Sequence, residues 1–191
     1  MRFNGSAFNV DVTGLQSTIF DPSIVNLFFS DNAANATIKG VEGDFTYYTN
    51  VEGLSVAGAF SILNTNIDDA LVPTNDVVVG TDLAFAPGHQ GNIRVRKETG
   101  MSGGNVGHVQ VQYTFSDSSF SDIMGPNKAE QDSYSYIDLR AGISNDELTA
   151  EHYVDNVTDE RAEISNTFVF DSQRITYIRP TTIGIRVKKN F

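Results

Sequence analysis

No cysteine occurs among the 191 residues, so neither a disulfide nor a thiolate metal site can hold this fold together. No apolar run approaches the ~18 residues that a membrane-spanning helix needs. Basic residues are scarce: 13 Lys and Arg stand against 24 Asp and Glu, a formal net charge of -11. Phosphate recognition needs a basic footprint, and that balance argues against a nucleic-acid partner. The opening Met1-Arg2-Phe3-Asn4-Gly5-Ser6 has no basic stretch followed by an apolar one, so the reading expects a fragment or a mature segment rather than a chain with its secretory leader. Helix signals are nearly missing too.

What the chain has instead is alternation. Side chains along a strand point to opposite faces in turn. From Gly107 to Phe115, Val109, Val111, Tyr113 and Phe115 alternate with His108, Gln110, Gln112 and Thr114. Leu54, Val56, Phe60 and Ile62 share one side of a second segment, with Ser55, Ala57, Ala59 and Ser61 between them. Gln90 to Lys97 sets Gln90, Asn92, Arg94 and Arg96 against Ile93 and Val95. In Tyr134 to Ser144, Ile137, Leu139, Ala141 and Ile143 oppose Tyr136, Asp138 and Arg140. The last seventeen residues, Ile175 to Phe191, place Phe191, Val187, Ile185 and Ile183 on one face. Asn190, Lys188, Arg186, Gly184 and Thr182 take the other. Lys189 falls on the apolar face, near enough to the end to snorkel to headgroups.

This spacing predicts eight strands, at about 2–13, 36–48, 54–65, 85–97, 107–117, 134–144, 147–156 and 175–190. Short connections rich in Gly or Asn should alternate with long ones near 14–35, 66–84, 118–133 and 157–174. Short turns at one end and long loops at the other are the arrangement of an antiparallel transmembrane β-barrel. Its polar face would carry Arg94, Arg96, Asp138, Arg140, Glu151 and Arg186, lining a lumen or bonding to one another and to water. A two-residue turn at Asn145-Asp146 would pair Ser144 with Glu147, Arg140 with Glu151, and Leu139 with His152, the last pair on the apolar side.

Reactive constellations do not emerge. His89, His108 and His152 lack the spacing of a metal site. Asp68, Asp69 and Asp76, with Asn64 and Asn66, lack calcium-loop spacing and read as a solvated loop. Ser118, Ser119 and Ser121 have no His and Asp partners in an elbow context. Gly100, Gly103, Gly104 and Gly107 lack the lysine of a phosphate loop. The expectation is no enzyme, no catalytic residue, no metal and no cofactor.

Several stretches resemble a known family. They are Ala36-Thr-Ile-Lys-Gly-Val-Glu-Gly-Asp-Phe45, Val51-Glu-Gly-Leu-Ser-Val-Ala-Gly-Ala-Phe60, Leu83-Ala-Phe-Ala-Pro87 and Gln90-Gly-Asn-Ile-Arg94. The most specific is Tyr153-Val-Asp-Asn-Val-Thr-Asp-Glu-Arg-Ala162, which leads to a terminal Phe191. In this order they resemble the C-terminal barrel region of TonB-dependent outer-membrane receptors. The resemblance implies a piece of a barrel of about 22 strands whose lumen holds a plug. It also implies energy-driven uptake of a siderophore, cobalamin or another large nutrient across the outer membrane of a Gram-negative bacterium. Residues 1–191 would form one unit without the plug or the TonB-contacting box, and would not transport alone. The implied partners are outer-membrane lipid, the missing plug and barrel strands, and TonB through that plug. Phe191, Val187, Ile185 and Ile183 would form the signal read by the barrel-assembly machinery. Two other readings stay open: a self-contained eight-stranded barrel, and a soluble β-sandwich binding module that would need no detergent.

Overall fold

The computed structural model describes residues 1–21, 27–72, 75–169 and 172–189. The described strands are β1 (Arg2–Asp21), β2 (Leu27–Tyr48), β3 (Leu54–Ala70), β4 (His89–Gly100), β5 (Val106–Ser116), β6 (Ser119–Phe120), β7 (Glu130–Gln131), β8 (Tyr134–Ser144), β9 (Leu148–Asp155), β10 (Glu163–Val169), β11 (Ser172–Tyr177) and β12 (Thr182–Lys189). Eight of them make one antiparallel sheet in the order β1-β2-β3-β4-β5-β8-β9-β12. The other four form two small ribbons, β6 with β7 and β10 with β11. Among the described residues no pairing joins β1 to β12, so both edges of the wall stand free.

Alternation fixes what each face of the wall presents. Cross-strand partners share a face, and one row runs Val95, Val111, Leu139, Val154 and Ile183 from β4 to β12. This face is apolar yet uncovered: Val111 is 46% and Ile185 73% exposed. Two rows further along the same face, Gly43, Phe60, Gly91 and Phe115 alternate across β2 to β5. The Phe rings lie over the glycine gaps; a Cβ on Gly91 would sit 2.7 Å from the Ala59 carbonyl and 3.2 Å from the Phe115 ring. Such pairs smooth the outer face of a curved sheet.

The long-loop end is built differently. The segment 14–35, expected as a loop, is largely strand, and β1 pairs with β2 up to Asp21 opposite Leu27. The reason is a pair of bulges. Register shifts fall between Val12 and Leu15 and between Leu15 and Gln16, and the β2–β3 ladder shifts between Asn35 and Ala36. Gly14 takes a positive φ of 68° there, and its amide donates to Asn35 Oδ1 at 2.9 Å. An extra residue in one strand flips every later side chain, so the period-2 pattern falls out of phase in the sequence.

Beyond the bulges lies the buried core: Ile19, Ala33, Ala34, Ile67, Val77, Ile123 and Met124. Backbone bonds tie three connections into this cap. Leu71 donates to Ala33 at 2.9 Å, Ile67 to Thr81 at 2.9 Å, and Gly125 to Asp76 at 2.7 Å.

Two other expectations are corrected. The strand expected over 175–190 is two elements: β11 pairs with β10, and β12 begins only at Thr182. Pro180, which has no amide to donate to a ladder, stands between them. Phe191 lies outside the described residues. The β8–β9 register also differs: Ser144 pairs with Thr149, Arg140 with Tyr153, Ala141 with His152 and Leu139 with Val154. Asn145 causes this, because its Oδ1 accepts from Glu147 at 3.0 Å and from Leu148 at 2.8 Å. Its side chain thereby enlarges the turn to four residues.

Candidate functional site

The six polar residues singled out in the sequence share the sheet face opposite the exposed apolar rows. Arg96, Gln110, Arg140, Tyr153 and Gly184 form one row across β4, β5, β8, β9 and β12. Arg94, Gln112 and Asp138 form the next, and Glu151 lies opposite Arg186. Arg96 Nε donates to Glu98 Oε1 at 2.8 Å. Because of the enlarged turn, Arg140 does not meet Glu151; its Nη2 donates to Asp155 Oδ1 at 2.5 Å. The Tyr153 ring lies between two guanidinium groups, 5.2 Å from Arg140 and 5.8 Å from Arg186. Under that ring only a glycine fits, since a Cβ at Gly184 would come within 2.4 Å of Tyr153. Asp138 accepts the Asn156 amide at 2.9 Å. Among the described residues Arg94 makes no ion pair.

One arrangement on this face was not legible in the sequence. His108 on β5 reaches across Gly142 on β8 to Glu151 on β9, Nε2 to Oε2 at 3.1 Å. Its side chain is only 2% exposed. Glu151 Oε1 in turn meets Arg186 Nη1 at 3.6 Å. The bridge needs a residue without a side chain in the middle, as a Cβ on Gly142 would be 2.8 Å from His108 Cε1. Three buried polar atoms of this face have no hydrogen-bond partner: His108 Nδ1, Thr114 Oγ1 and Arg140 Nη1. Buried polar atoms are normally satisfied, so these three stand out on the polar face among the described residues.

The apolar face holds Ile183, Ile185 and Val187, all exposed, on β12. His152 lies on this face too, between Ala141 and Ile185 rather than beside Leu139. At the long-loop end, His89 Nδ1 meets Asp117 Oδ2 at 2.6 Å. Nearby, the Asn156-Val-Thr-Asp-Glu160 segment closes on itself. The Asn156 side chain donates to the carbonyls of Glu160 at 2.9 Å and Arg179 at 2.8 Å, and accepts from the Glu160 amide at 2.9 Å. Thr181 Oγ1 donates to the Asn156 carbonyl at 2.7 Å. This buried knot holds residues 179–181, and therefore the start of β12, against the end of β9. No helix among the described residues is long and apolar enough to cross a membrane, which says nothing about crossing by strands.

The family described as TonB dependent receptor-like, beta-barrel matches residues 1–157. The chain belongs to this family. Among solved structures, the ferric yersiniabactin uptake receptor FyuA from Yersinia pestis superposes with a TM-score of 0.76 at 17% identity, over 99% of this chain and 27% of that one. BauA, the ferric preacinetobactin receptor from Acinetobacter baumannii, gives 0.70 at 15% identity, over 97% of this chain and 26% of that one. The pyoverdine outer membrane receptor FpvA from Pseudomonas aeruginosa PAO1 gives 0.66 at 17% identity, over 100% and 27%. The chain thus spans about a quarter of these receptors. No curated protein sequence matches it. The fold is that of a segment of an antiparallel transmembrane β-barrel.

Proposed function

We propose that this TonB-dependent receptor segment is part of the wall and outer loops of an outer-membrane importer in a Gram-negative bacterium. Its cargo is a ferric siderophore first, with cobalamin or another large nutrient as the wider class. The observation that carries the reading is the two-faced sheet, apolar and uncovered on one side and polar with orphaned buried groups on the other. Lipid accounts for the first face and a plug for the second. The short turns then face the periplasm and the capped loops the outside. Import requires the remaining strands and the plug, because β1 and β12 offer free edges that a closed barrel would pair. The exposed Ile183, Ile185 and Val187, continued by Phe191, are the surface we assign to the barrel-assembly machinery.

The test uses the protein as it is made in outer membranes. It should resist extraction without detergent, and cells in which it stands within a receptor carrying the remaining strands and the plug should take up a radiolabelled ferric siderophore only while the inner membrane is energised. A protein that stays monodisperse without detergent would instead be a soluble binding module. Removing Phe191 should lower the inserted yield; an unchanged yield would end its assembly role.

A further inference from the structure

At the junction of wall and loops a crevice of about 160 Å³ opens on the polar side. Its lining includes Asp117, Asp132 and Glu163, together with Gln131, Tyr134 and Ile164, and no lysine or arginine. The space suits a small organic group, since a cavity of roughly 150 Å³ holds a benzene ring. The long connections are acid-rich in sequence: 13 of the chain's 24 acidic residues, but only three of its 13 basic ones, fall within 14–35, 66–84, 118–133 and 157–174.

Acidity alone would describe a solvated surface. Gln131 adds an independent observation. It lines the crevice and is only 3% exposed. Its Oε1 accepts from Ser119 Oγ at 3.2 Å, yet its Nε2 has no hydrogen-bond partner among the described residues. A buried donor left without an acceptor is costly, so this crevice lacks a carbonyl-type group. The carboxylates differ in occupancy. Asp117 meets His89, and Glu163 accepts from Asn166 at 3.2 Å. Asp132 is exposed and without an ion pair among the described residues. No group of three His, Cys, Asp or Glu side chains among the described residues is arranged to hold a metal ion. A cationic group on an alkyl arm needs only one or two of these carboxylates, and the arm can reach Gln131 at the same time.

We infer that this crevice is a subsite for an amide-bearing cationic arm of the ligand, an ammonium or guanidinium group near Asp132 and Glu163 with a carbonyl on Gln131. The assignment rests on the uptake reading for its biological meaning, but the crevice can be probed without uptake. The probe is 6-aminohexanamide, and the neutral comparison is hexanamide, both titrated at low ionic strength into the detergent-purified protein as it is made in outer membranes. Exposed charges are weakly screened under those conditions.

The cationic probe should bind at least tenfold more tightly than hexanamide. Asp132→Asn and Glu163→Gln together should remove most of that preference, while Glu147→Gln at the short-turn end leaves it intact. Asp132→Asn alone, at an exposed residue with no hydrogen-bonded partner among the described residues, should reduce it without endangering the fold. Gln131→Leu should weaken binding of the amide-bearing probe but not of 1-aminopentane. Equal binding of the two hexyl probes, or a preference that survives in the double variant, overturns the assignment. Probe binding as expected without uptake of any ferric chelate would leave the crevice standing and end the uptake reading. Uptake without the cationic preference would end only the crevice.

Discussion

The wall and the cap of this molecule are made from the same kind of strand and stabilised in opposite ways. The wall turns its apolar rows outward, and its strands are held by backbone ladders with polar side-chain bridges such as His108–Glu151 on the other face. The cap turns apolar side chains inward, around Ile67, and behaves as a small soluble core. The β1–β2 hairpin passes through both. Its 20-residue strand β1 reaches about 66 Å at roughly 3.3 Å per residue, about twice a hydrocarbon layer of ~30 Å. The bulges at Gly14 and in the β2–β3 ladder mark where one regime ends. Under the membrane reading proposed above, lipid is the solvent for the outer face up to that line and water beyond it, where the chain supplies its own interior.

The comparison can be broken most forcefully at Ile67, which is fully buried in the cap. Truncating a buried isoleucine to alanine costs about 2–5 kcal/mol. Ile67→Ala should therefore raise amide exchange across all three connections of the cap together, with the wall strands unaffected. The same change at Ile185, exposed on the apolar face, should cost far less. Loosening of a single connection, or of cap and wall alike, would show that the cap is not one cooperative body.

A second test sharpens the wall. Val111 stands midway along β5 on the apolar face. Arg at the bilayer midplane of such a face costs about 2–4 kcal/mol, falling to roughly 0–1 near the interface. Val111→Arg should depress refolding into lipid vesicles strongly, and Leu148→Arg, at the short-turn end, only slightly. Equal penalties at both positions would mean that this face does not cross a bilayer.

The third test is at the join. Asn156 holds a positive φ of 52°, a conformation that asparagine and glycine tolerate. Asn156→Gly keeps the backbone but removes the amide that ties Glu160 to Arg179. The loss should be about 1–3 kcal/mol, the usual cost of orphaned buried partners. It should appear as fraying of β12 from β9 in hydrogen exchange. Fraying equal to that of the unmodified protein would show that the knot does not hold the strand.

Legibility in the sequence followed the same division. Most wall strands could be read because each keeps a strict period of two, with one face apolar and the other polar. The cap could not, since two bulges invert the phase and buried alanines such as Ala33 and Ala34 carry no pattern. Side-chain bonds to backbone were equally invisible. Asn145 Oδ1 accepts two amides and so enlarged a turn that looked like two residues. Arg140 consequently meets Asp155 instead of Glu151. The His108–Glu151 bridge spans two strand spacings and depends on Gly142, on the strand between its partners. The motif from Tyr153 to Ala162 was recognisable as a motif, but its task, holding the entry to β12, needed the coordinates of residues 179–181.

The smallest expected effect is electrostatic and belongs to that same join. Asp159, outside the wall, accepts from the Thr181 amide at 3.0 Å and from Arg161 Nη2 at 3.2 Å. The Thr181 amide, with Arg161 and the Thr181 hydroxyl adding less, holds its carboxyl below the ordinary aspartate value of 3.8, against an opposing desolvation that ranks second only to that amide. A carboxylate whose value is depressed on folding favours the folded form above its unfolded value. That contribution is complete above about pH 3.8 in this case and disappears as pH falls through the lower folded value. The site is open to water, so screening keeps the effect small. The Thr181 amide resonance should therefore titrate with a midpoint below 3.8, while that of Val111 stays still. Asp159→Asn should abolish the titration and leave the Asn156 knot closed, since the knot's own bonds are to uncharged groups. A midpoint at or above the ordinary value would mean that Thr181 and Asp159 do not meet in solution, and that the knot alone positions β12.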